Sequence, residues 1–338
     1  GLWLGVVGDV VFQRWHVRHL RGVSSAAVCG PVRGLTFVVT GPTSGIGLET
    51  ARALAANGAH VVLACRSLPR GRKLADALER EAAAEGRAKP ALEVRELDLA
   101  AVDSVRRFAE AWEADGARRV DCLINNAGIF SMGAPRAETA DGHEAHYGTN
   151  FIAPAYLTLL LLPALLRADS PRVVNVSSKL HELGELSLED PHFRSRPFSA
   201  LAAYAQSKLA EVVFTEELRR RLAGGAGGGG AGKEVVLLSL HPGNVVTDVV
   251  RTLPAPIRAA YRAIMQFLLL TPAEGCRATL FAATREEAPR LAPFLESGAR
   301  ASPPHPAAHD ASLCAQLFLQ TTAALPALPK HTQNLLRE

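Results

Sequence analysis

The sequence predicts an α/β fold in which helices cover both faces of a mainly parallel sheet, a doubly wound arrangement. Six apolar runs rich in Val, Leu and Ile alternate along the chain with segments of helical spacing. The runs are continuous rather than alternating, as expected of parallel strands that are buried on both faces. The motifs described below follow these runs, and the ligand crevice of such a sheet lies at the carboxyl ends of its strands.

Each element follows from its own pattern. The apolar runs predict strands at 35–40, 59–65, 91–97, 120–125, 171–177 and 234–240. The helical patterns predict helices at 45–57, 70–85, 101–115, 142–168, 200–223 and 272–284, joined to the strands by right-handed crossovers. The apolar run 153–166 is too short to span a bilayer and contains Pro163, so we expect it to be buried against the sheet, where it could also meet a neighbouring subunit.

Composition indicates an ordinary globular protein. The chain has 338 residues, of which 48% are hydrophobic and 21% charged, enough for one large core and too apolar for a disordered chain. The net charge of +4 is too small and too dispersed to indicate nucleic-acid binding. The five cysteines contain no CxxC pair, which predicts a reducing intracellular compartment and no zinc or other metal site.

A glycine-rich turn follows the first predicted strand. Residues 40–47 read TGPTSGIG and open a helical pattern, so with the preceding apolar run they predict a strand, a glycine turn and a helix N-terminus. The glycines let the backbone approach a pyrophosphate, and the free N–H groups and the helix dipole favour its charge. The Gly-x3-Gly-x-Gly spacing departs from GxGxxG, and no Lys-Ser/Thr pair follows as in a P-loop. The turn therefore predicts a nucleotide site by its setting rather than by its spacing.

Tyr204 and Lys208 are four residues apart in a predicted helix, so they share one face. An ammonium beside a phenol favours the phenolate, which suits a general acid/base for carbonyl reduction or alcohol oxidation. Alone, this pair would more often be a surface Tyr covered by a Lys stem. Ser177 and Ser178 lie upstream on a predicted strand, where they point to opposite faces, and spacing does not decide which of them reaches a substrate.

The motifs together resemble the short-chain dehydrogenase/reductase superfamily. They occur in the order that the family has: residues 40–47, 125–128 (NNAG), Asn150, Ser177-Ser178, Tyr204-x3-Lys208 and Pro242-Gly243. Residues 61–67, His241 and the long stretch between Ser178 and Tyr204 look most like the retinol dehydrogenase-like and WW-domain-oxidoreductase-like branch, including its plant relatives. The likeness runs from about residue 33 to about 325 and implies a Rossmann-type, mainly parallel seven-stranded sheet.

The resemblance implies an NADP(H)-dependent oxidoreductase that transfers a hydride between nicotinamide and a carbonyl or alcohol. Cys65 stands where the family often carries Asp, and Arg66 follows it, so we expect NADP(H) to be preferred although NAD(H) remains an alternative. The implied cofactor-binding residues are Gly41, Thr43, Ser44, Gly45, Ile46, Gly47, Arg66, Asp98, Leu99, Asn126, Ala127, Gly128, Tyr204, Lys208, Pro242, Gly243, Val245 and Thr247.

The resemblance also implies a catalytic set of Asn150, Ser178, Tyr204 and Lys208. Ser178 would bind the substrate oxygen, Tyr204 would exchange its proton, and Lys208 would support the phenolate and bind ribose. By itself Asn150 would indicate a bend or cap in a helix; the family assigns it a water in a proton relay that ends at Lys208. His181 is close enough in sequence to border the pocket, but we expect it at the surface.

The substrate is predicted only as a class: an apolar aldehyde, ketone or retinoid-like molecule. A segment at about 250–271 occupies the place of the family's substrate lid. Its stripe of apolar residues at helical spacing fits a protein core as well as a lipid pocket: Ile257, Tyr261, Ile264, Met265 and Leu268. The alternative function is a catalytically weak NADP(H)-binding regulatory or scaffold protein, and a homodimer is common in the family.

The predicted dehydrogenase domain covers 33–325 and leaves an N-terminal extension, 1–32, and a C-terminal tail, 326–338. The extension is apolar at first and then basic. It suits a membrane-anchor remnant, an interfacial helix, a targeting segment or an extra helix packed on the fold. An endoplasmic-reticulum membrane or an organelle is therefore an open alternative for the location.

Overall fold

The computed structural model describes residues 23–116, 118–224, 234–245 and 269–336, together with residues 8, 10, 13, 15 and 17. Within these residues the sheet contains eight strands in the order β3-β2-β1-β4-β5-β6-β7-β8. The strands are β1 (Thr36–Thr40), β2 (His60–Cys65), β3 (Ala91–Glu96), β4 (Cys122–Asn125), β5 (Arg172–Val176), β6 (Val236–Leu240), β7 (Phe294–Glu296) and β8 (Arg300–Ser302).

The six located strands are confirmed to within two residues, and so is the doubly wound, mainly parallel sheet. The sequence did not reveal β8, an additional strand that pairs antiparallel with β7. With three residues, Arg-Ala-Ser, β8 is too short to carry an apolar run. The expectation that every strand is covered on both faces is wrong for β3, which lies at the sheet edge with its side chains partly exposed.

The helices lie close to their predicted positions. They are α1 (Ser25–Val28), α2 (Gly45–Ala56), α3 (Leu68–Ala84), α4 (Val102–Ala114), α5 (Ala145–Leu166), α6 (Ala200–Gly224), α7 (Pro272–Thr284), α8 (Ala288–Leu291), α9 (Ala311–Ala323) and α10 (Lys330–Leu335). Two further short 3₁₀ turns matter below, Lys179–Leu183 and Pro306–His309.

Two apolar cores lie on opposite faces of the sheet. Val38 belongs to one core, and its neighbours Phe37 and Val39 belong to the other, because successive side chains of a strand point to opposite faces. Helices α4, α5, α6 and α9 supply the first core, whereas α2, α3 and α7 supply the second. The buried continuous runs are therefore explained by coverage on both faces.

Helix α5 is a core helix. Within the described residues it alone is long and apolar enough to cross a membrane, but 89% of its apolar window is buried inside the protein. Pro163 lies inside the helix without ending it. One turn, Gly148–Ile152, is π-helical and contains Asn150, so the predicted helix-bending Asn lies at an irregular turn.

The segments at both ends of the described chain pack on the sheet's helices. The Ser25 hydroxyl donates to the Ala273 carbonyl at 2.8 Å, and the Gly30 N–H donates to the Thr284 hydroxyl at 2.8 Å, so residues 23–30 are fastened to α7. Near the other end, Leu336 is buried in the first core. The division of the chain at residues 33 and 325 stays a prediction.

Candidate active site

The glycine turn after β1 is shaped by close backbone approach. Gly41 has φ +64°, and a Cβ added there would lie 2.9 Å from the Ala127 Cβ. A Cβ added at Gly47 would lie 2.4 Å from the Asn126 Nδ2 and 2.4 Å from the Gly41 carbonyl oxygen. Both positions therefore require glycine, and both lie against the segment that follows β4.

Thr40 and Asn126 join the two segments. The Thr40 hydroxyl accepts hydrogen bonds from the N–H groups of Asn126 and Ala127, each at 3.0 Å. In return, the Asn126 side-chain amide donates to the Thr40 carbonyl at 2.9 Å. Asn126 is among the residues predicted to bind the cofactor; the structure gives its side chain a hydrogen bond that holds the glycine turn in shape.

The first turn of α2 has the donors that a diphosphate needs. Ser44 precedes the helix, and its side chain makes no capping hydrogen bond. The first N–H groups of a helix have no intrahelical acceptor, so those of Gly45, Ile46 and Gly47 are available to an anion. Around Gly45, at φ +58°, nothing within the described structure lies within 4 Å of an added Cβ. These residues fit a dinucleotide pyrophosphate.

The ends of β2 and β3 carry further residues predicted to bind the cofactor. Arg66 is exposed, and among the described residues it has no hydrogen bond or ion pair. Cys65 is buried, its Sγ donates to the Ser67 carbonyl at 3.4 Å, and burial raises the pKa of its thiol. Asp98 is partly buried and accepts the Ala100 N–H at 3.0 Å, while Leu99 is buried.

Tyr204 and Lys208 lie one turn apart on α6. The Tyr204 ring is partly buried and is stacked on the Phe130 ring, with centroids 4.5 Å apart. Lys208 is only 4% exposed; its Nζ donates to the Val176 carbonyl at 2.8 Å and to the Glu211 Oε2 at 3.0 Å. An ammonium carries three N–H donors, so one remains for a ligand hydroxyl.

Gly128 marks the place where the cofactor segment meets the catalytic residues. A Cβ added at Gly128 would lie 3.3 Å from the Asn150 Oδ1 and 3.7 Å from the Lys208 Nζ. The segment after β4, helix α5 and helix α6 therefore converge at one point. Motifs that are far apart in the sequence are brought together there, as the alternation of strands and helices predicts.

Asn150 binds the backbone beside this point. Its side-chain amide donates to the Ile129 carbonyl and to the Ser207 hydroxyl, both at 3.0 Å, and its Oδ1 accepts the Ile129 N–H at 2.7 Å. Both N–H groups of the carboxamide are thus used within the protein, and the oxygen keeps one lone pair. Asn150 fixes residue 129, next to Gly128 and Phe130.

The structure separates the two serines. Ser177 is buried, and its hydroxyl donates to the Lys208 carbonyl at 3.1 Å. Ser178 is partly exposed and begins the 3₁₀ turn Lys179–Leu183, where its hydroxyl accepts the Leu180 N–H at 3.2 Å. Ser177 therefore has a bond that supports α6, which leaves Ser178 as the hydroxyl that a ligand can reach.

The expectation that His181 lies at the surface is wrong. His181 is 1% exposed, and its ring packs on Phe294 with centroids 4.8 Å apart. Its Nδ1 lies 2.6 Å from the Ser178 carbonyl oxygen, which can only accept, so Nδ1 carries the proton. Burial lowers the pKa of His181 to about 4, so the ring is neutral near neutral pH. His181 holds the backbone of Ser178.

Sequence reasoning also missed a buried acid and histidine below Tyr204. His146 Nδ1 lies 2.8 Å from the Glu144 Oε1, and His146 Nε2 accepts the Ser131 N–H at 3.1 Å. The His146 ring stands edge-on to the Tyr204 ring at 6.3 Å. The pair therefore fixes the loop that carries Phe130. Its only sequence signal was the i, i+2 spacing, which does not indicate a contact in a helix.

The Pro242-Gly243 loop lies beyond β6. Gly243 has φ +94°, and a Cβ there would meet the Leu270 Cδ1 at 2.6 Å. The Gln13 amide, fully buried, accepts the Asn244 N–H at 2.8 Å and donates to the Asn244 carbonyl at 3.1 Å. Val245 forms a parallel bridge with Leu270. Thr247, most of the predicted lid and its apolar stripe lie outside the described residues.

Comparison with known proteins agrees with this geometry. The model of the short chain dehydrogenase family matches residues 36–257. The chain belongs to this family. Short-chain dehydrogenases are oxidoreductases that act on CH–OH or C=O groups with NAD(P), and this reaction class is therefore established for the chain.

Two curated relatives indicate the branch. The chain is 38% identical over 341 aligned positions to the dehydrogenase/reductase SDR family member FEY of Arabidopsis thaliana, covering 97% of this chain and 87% of that protein. It is 37% identical over 262 positions to retinol dehydrogenase 14 of Mus musculus, covering 75% of each. The predicted likeness to the retinol dehydrogenase-like branch and its plant relatives is confirmed.

Two solved structures share the fold. A putative uncharacterized protein from Mycobacterium paratuberculosis is 36% identical with a TM-score of 0.67, and the match covers 88% of this chain and 96% of that one. A putative NAD(P)-dependent gluconate 5-dehydrogenase from Beutenbergia cavernae, with bound NADP, is 29% identical with a TM-score of 0.58. That match covers 79% of this chain and 97% of the other.

Proposed function

We propose that this short-chain dehydrogenase is an NADP(H)-dependent oxidoreductase for an apolar aldehyde, ketone or retinoid-like molecule and the corresponding alcohol. The observation that carries the proposal is the convergence at Gly128, where an added Cβ would lie 3.3 Å from Asn150 and 3.7 Å from Lys208. The residues that fit a dinucleotide and those that fit proton transfer therefore meet at one edge of the sheet.

The proposed chemistry divides between cofactor and protein. The nicotinamide supplies or accepts the hydride. The Tyr204 hydroxyl gives its proton to the substrate oxygen in reduction and takes it back in oxidation. The Lys208 ammonium favours the phenolate, and the Ser178 hydroxyl orients the substrate oxygen. Holding the substrate beside the cofactor makes the transfer effectively unimolecular.

We assign Asn150 a positioning role. Its carboxamide holds Ile129 and Ser207, and these bonds keep the loop of Phe130 against α6. The water relay that the family assigns to Asn150 would have to use the lone pair that its Oδ1 retains. The relay thus stays a proposal, whereas the contacts with Ile129 and Ser207 already explain an Asn here.

NADP(H) preference is supported by Arg66. This guanidinium is exposed at the end of β2, and within the described structure no carboxylate pairs with it, so it can bind a 2′-phosphate. Cys65, in the position that suits an acidic residue for NAD, is buried and bonded to Ser67. The structure of the putative gluconate 5-dehydrogenase, at 29% identity, contains bound NADP.

The substrate class is supported by the relatives. Retinol dehydrogenase 14 covers three quarters of this chain, and its name indicates an apolar alcohol. Leu269 and Leu270, at the end of the proposed lid, are buried.

We also propose a reducing compartment: all five cysteines are free thiols, and four of them are buried. Attachment to a membrane, an organellar location and a homodimer belong to the same proposal.

One assay tests the proposed function. Purified protein is titrated with NADPH and with NADH, and NADPH oxidation is then followed with a panel of long-chain aldehydes, ketones and retinal. We expect at least about tenfold tighter binding of NADPH, corresponding to about 1.4 kcal/mol, and turnover with an apolar member of the panel. Equal affinities would contradict the NADP(H) assignment. Tight NADPH binding without turnover would favour the regulatory or scaffold protein.

A further inference from the structure

We propose that Glu211 is a positioning residue of the catalytic pair, whose carboxylate holds the Lys208 ammonium and offsets part of its charge as seen by Tyr204. This inference deepens the proposed function and takes its catalytic meaning from it. It rests on the buried ion pair between Lys208 and Glu211, a residue that belongs to none of the motifs described above. Glu211 Oε2 accepts from the Lys208 Nζ at 3.0 Å, and each residue is 4% exposed.

The surroundings leave Glu211 with one charged partner. A cavity of about 10 Å³ adjoins its side chain, room for about one water. Apart from Glu211 its lining is apolar or neutral: Phe151, Pro154, Ala155, Thr158, Asn175, Phe214, Thr215 and Leu218. Burial raises the pKa of Glu211, and Lys208 opposes that effect. The Lys208 ammonium, 3.0 Å away, is the contact in this site that favours the charged form of the carboxylate.

The polar groups around the cavity already bond to one another. Asn175 donates to the Thr215 hydroxyl at 2.8 Å, and Thr215 in turn donates to the Glu211 carbonyl at 2.6 Å. The Asn125 amide donates to the Asn175 Oδ1 at 2.8 Å. These side chains therefore do not replace Lys208 as the partner of the Glu211 carboxylate.

The pair lies on the same helix as the proposed acid/base. Lys208 follows Tyr204 by one helical turn, and Glu211 follows Lys208 by three residues on the same helix. A cation favours the phenolate, and an anion behind the cation weakens that effect. Glu211 thus fixes the ammonium with a charge-assisted hydrogen bond while moderating the acidity that it gives to the phenol.

Other elements that pack against α6 also carry titratable groups, but none of those named here is the ion-pair partner of Glu211. Below Tyr204, His146 is paired with Glu144. On the 3₁₀ turn, Lys179 pairs with Glu182 and Glu296, and His181 is neutral near pH 7. The other groups include Tyr147 on α5, His241 at the end of β6, Cys314 on α9 and His309 before α9. Among these groups, Lys208 remains the charge that contacts Glu211.

The test measures ionisation of the Tyr204 phenol and needs no substrate. The chain has four tyrosines. Burial raises the pKa of Tyr147 and of Tyr156, and the difference from Tyr204→Phe assigns the Tyr204 signal in the ultraviolet absorbance of tyrosinate. We expect Glu211→Gln, which keeps the shape and removes the charge, to lower the midpoint of Tyr204 ionisation by about one pH unit.

Two variants control this result. Glu217→Gln makes the same change on the same helix, where Glu217 is paired with Arg221 at 2.9 Å, and should leave the midpoint unchanged. Glu211→Asp keeps the charge and should stay near the wild-type midpoint. If Glu211→Gln does not fold, as judged by near-ultraviolet circular dichroism, Glu211→Asn replaces it with the same expected shift.

The outcomes are separate from those of the proposed function. An unchanged or raised midpoint in a folded Glu211→Gln or Glu211→Asn variant would overturn the role of Glu211, whatever the protein's activity. A lowered midpoint in a protein that turns over no carbonyl substrate would support the charge coupling and count against the oxidoreductase proposal instead.

Discussion

The two halves of the proposed active site, a cofactor half and a catalytic half, are built by different physical means. In the cofactor half, the glycine turn and the segment after β4 touch where no Cβ fits, and neutral hydrogen bonds of Thr40 and Asn126 join them. In the catalytic half, buried ionisable side chains set the geometry: Lys208 with Glu211, His146 with Glu144, and His181 below Ser178.

This difference decides how each half responds to change. A half that depends on backbone shape is sensitive to added side-chain volume and insensitive to pH. A half that depends on buried ionisable groups is sensitive to pH, because each group's charge is coupled to folding. The predictions below test whether the two halves separate in this way.

The largest expected effect is the pH dependence that His181 gives to stability. Burial lowers the pKa of His181 from 6.5 to about 4. As pH falls below 6.5, the unfolded chain takes up a proton that the folded protein does not, so stability is lost between about pH 6.5 and about pH 4. The loss is about 3 kcal/mol from this group, measured by urea unfolding at a series of pH values.

His181→Asn sharpens that measurement, since the Asn amide can still donate to the Ser178 carbonyl but does not titrate. We expect the variant to lose less stability than the wild type between these pH values. The matched control is His331→Asn, at an exposed site, which should keep the wild-type slope. If the unfolding free energy depends on pH equally in the wild type and in His181→Asn, the histidine titrates freely. His181 would then not be one of the buried ionisable groups on which the catalytic half depends.

A smaller effect is expected in the cofactor half. Gly41→Ala and Gly86→Ala place a Cβ at nearly the same backbone angle, φ +64° and +66°, and each should cost about 1–2 kcal/mol of stability. Only Gly41 faces a neighbour, the Ala127 Cβ at 2.9 Å, whereas Gly86 has open space. Gly41→Ala should therefore also weaken NADPH binding by about tenfold, or 1.4 kcal/mol, in a fluorescence titration.

Equal NADPH affinities of Gly41→Ala and Gly86→Ala would contradict the claim that close backbone contact shapes the cofactor half. The same two proteins provide a second check, because neither substitution removes an ionisable group. Their unfolding free energies should keep the pH dependence of the wild type. A changed slope in either variant would mean that the glycine turn and the buried ionisable groups are not independent.

Much of the cofactor half could be predicted from sequence, because its backbone contacts require glycine at particular positions and glycine is recognised directly in the sequence. Gly41 and Gly47 are needed where a Cβ would collide, and their spacing is visible in the printed chain. The buried strands were located because coverage on both faces demands continuous apolar runs. Strand β8 left no such signal, and the edge position of β3 depends on the order of strands, which the sequence pattern does not show.

In the catalytic half, the sequence predicted residue pairs only where their spacing along the chain itself brings the two side chains together. Tyr204 and Lys208 are visible because i, i+4 residues meet on a helix. Spacing did not choose between Ser177 and Ser178, and only the family resemblance favoured Ser178; the bond from Ser177 to the Lys208 carbonyl adds a physical reason. Glu211 and His181 resemble ordinary surface residues in the sequence. Their burial comes from distant elements such as α5 and β7, which local patterns cannot report.

The most direct test of the central claim compares Tyr204→Phe with Tyr156→Phe. Both variants lose one phenolic oxygen, but Tyr156 is a buried core residue whose hydroxyl has no hydrogen-bond partner among the described residues. NADPH affinity and the rate of NADPH-dependent carbonyl reduction are measured for each. We predict that Tyr204→Phe binds NADPH as the wild type does and loses about two or more orders of magnitude in turnover, while Tyr156→Phe keeps both. Turnover near the wild-type rate in Tyr204→Phe would contradict the assignment of Tyr204 as the acid/base.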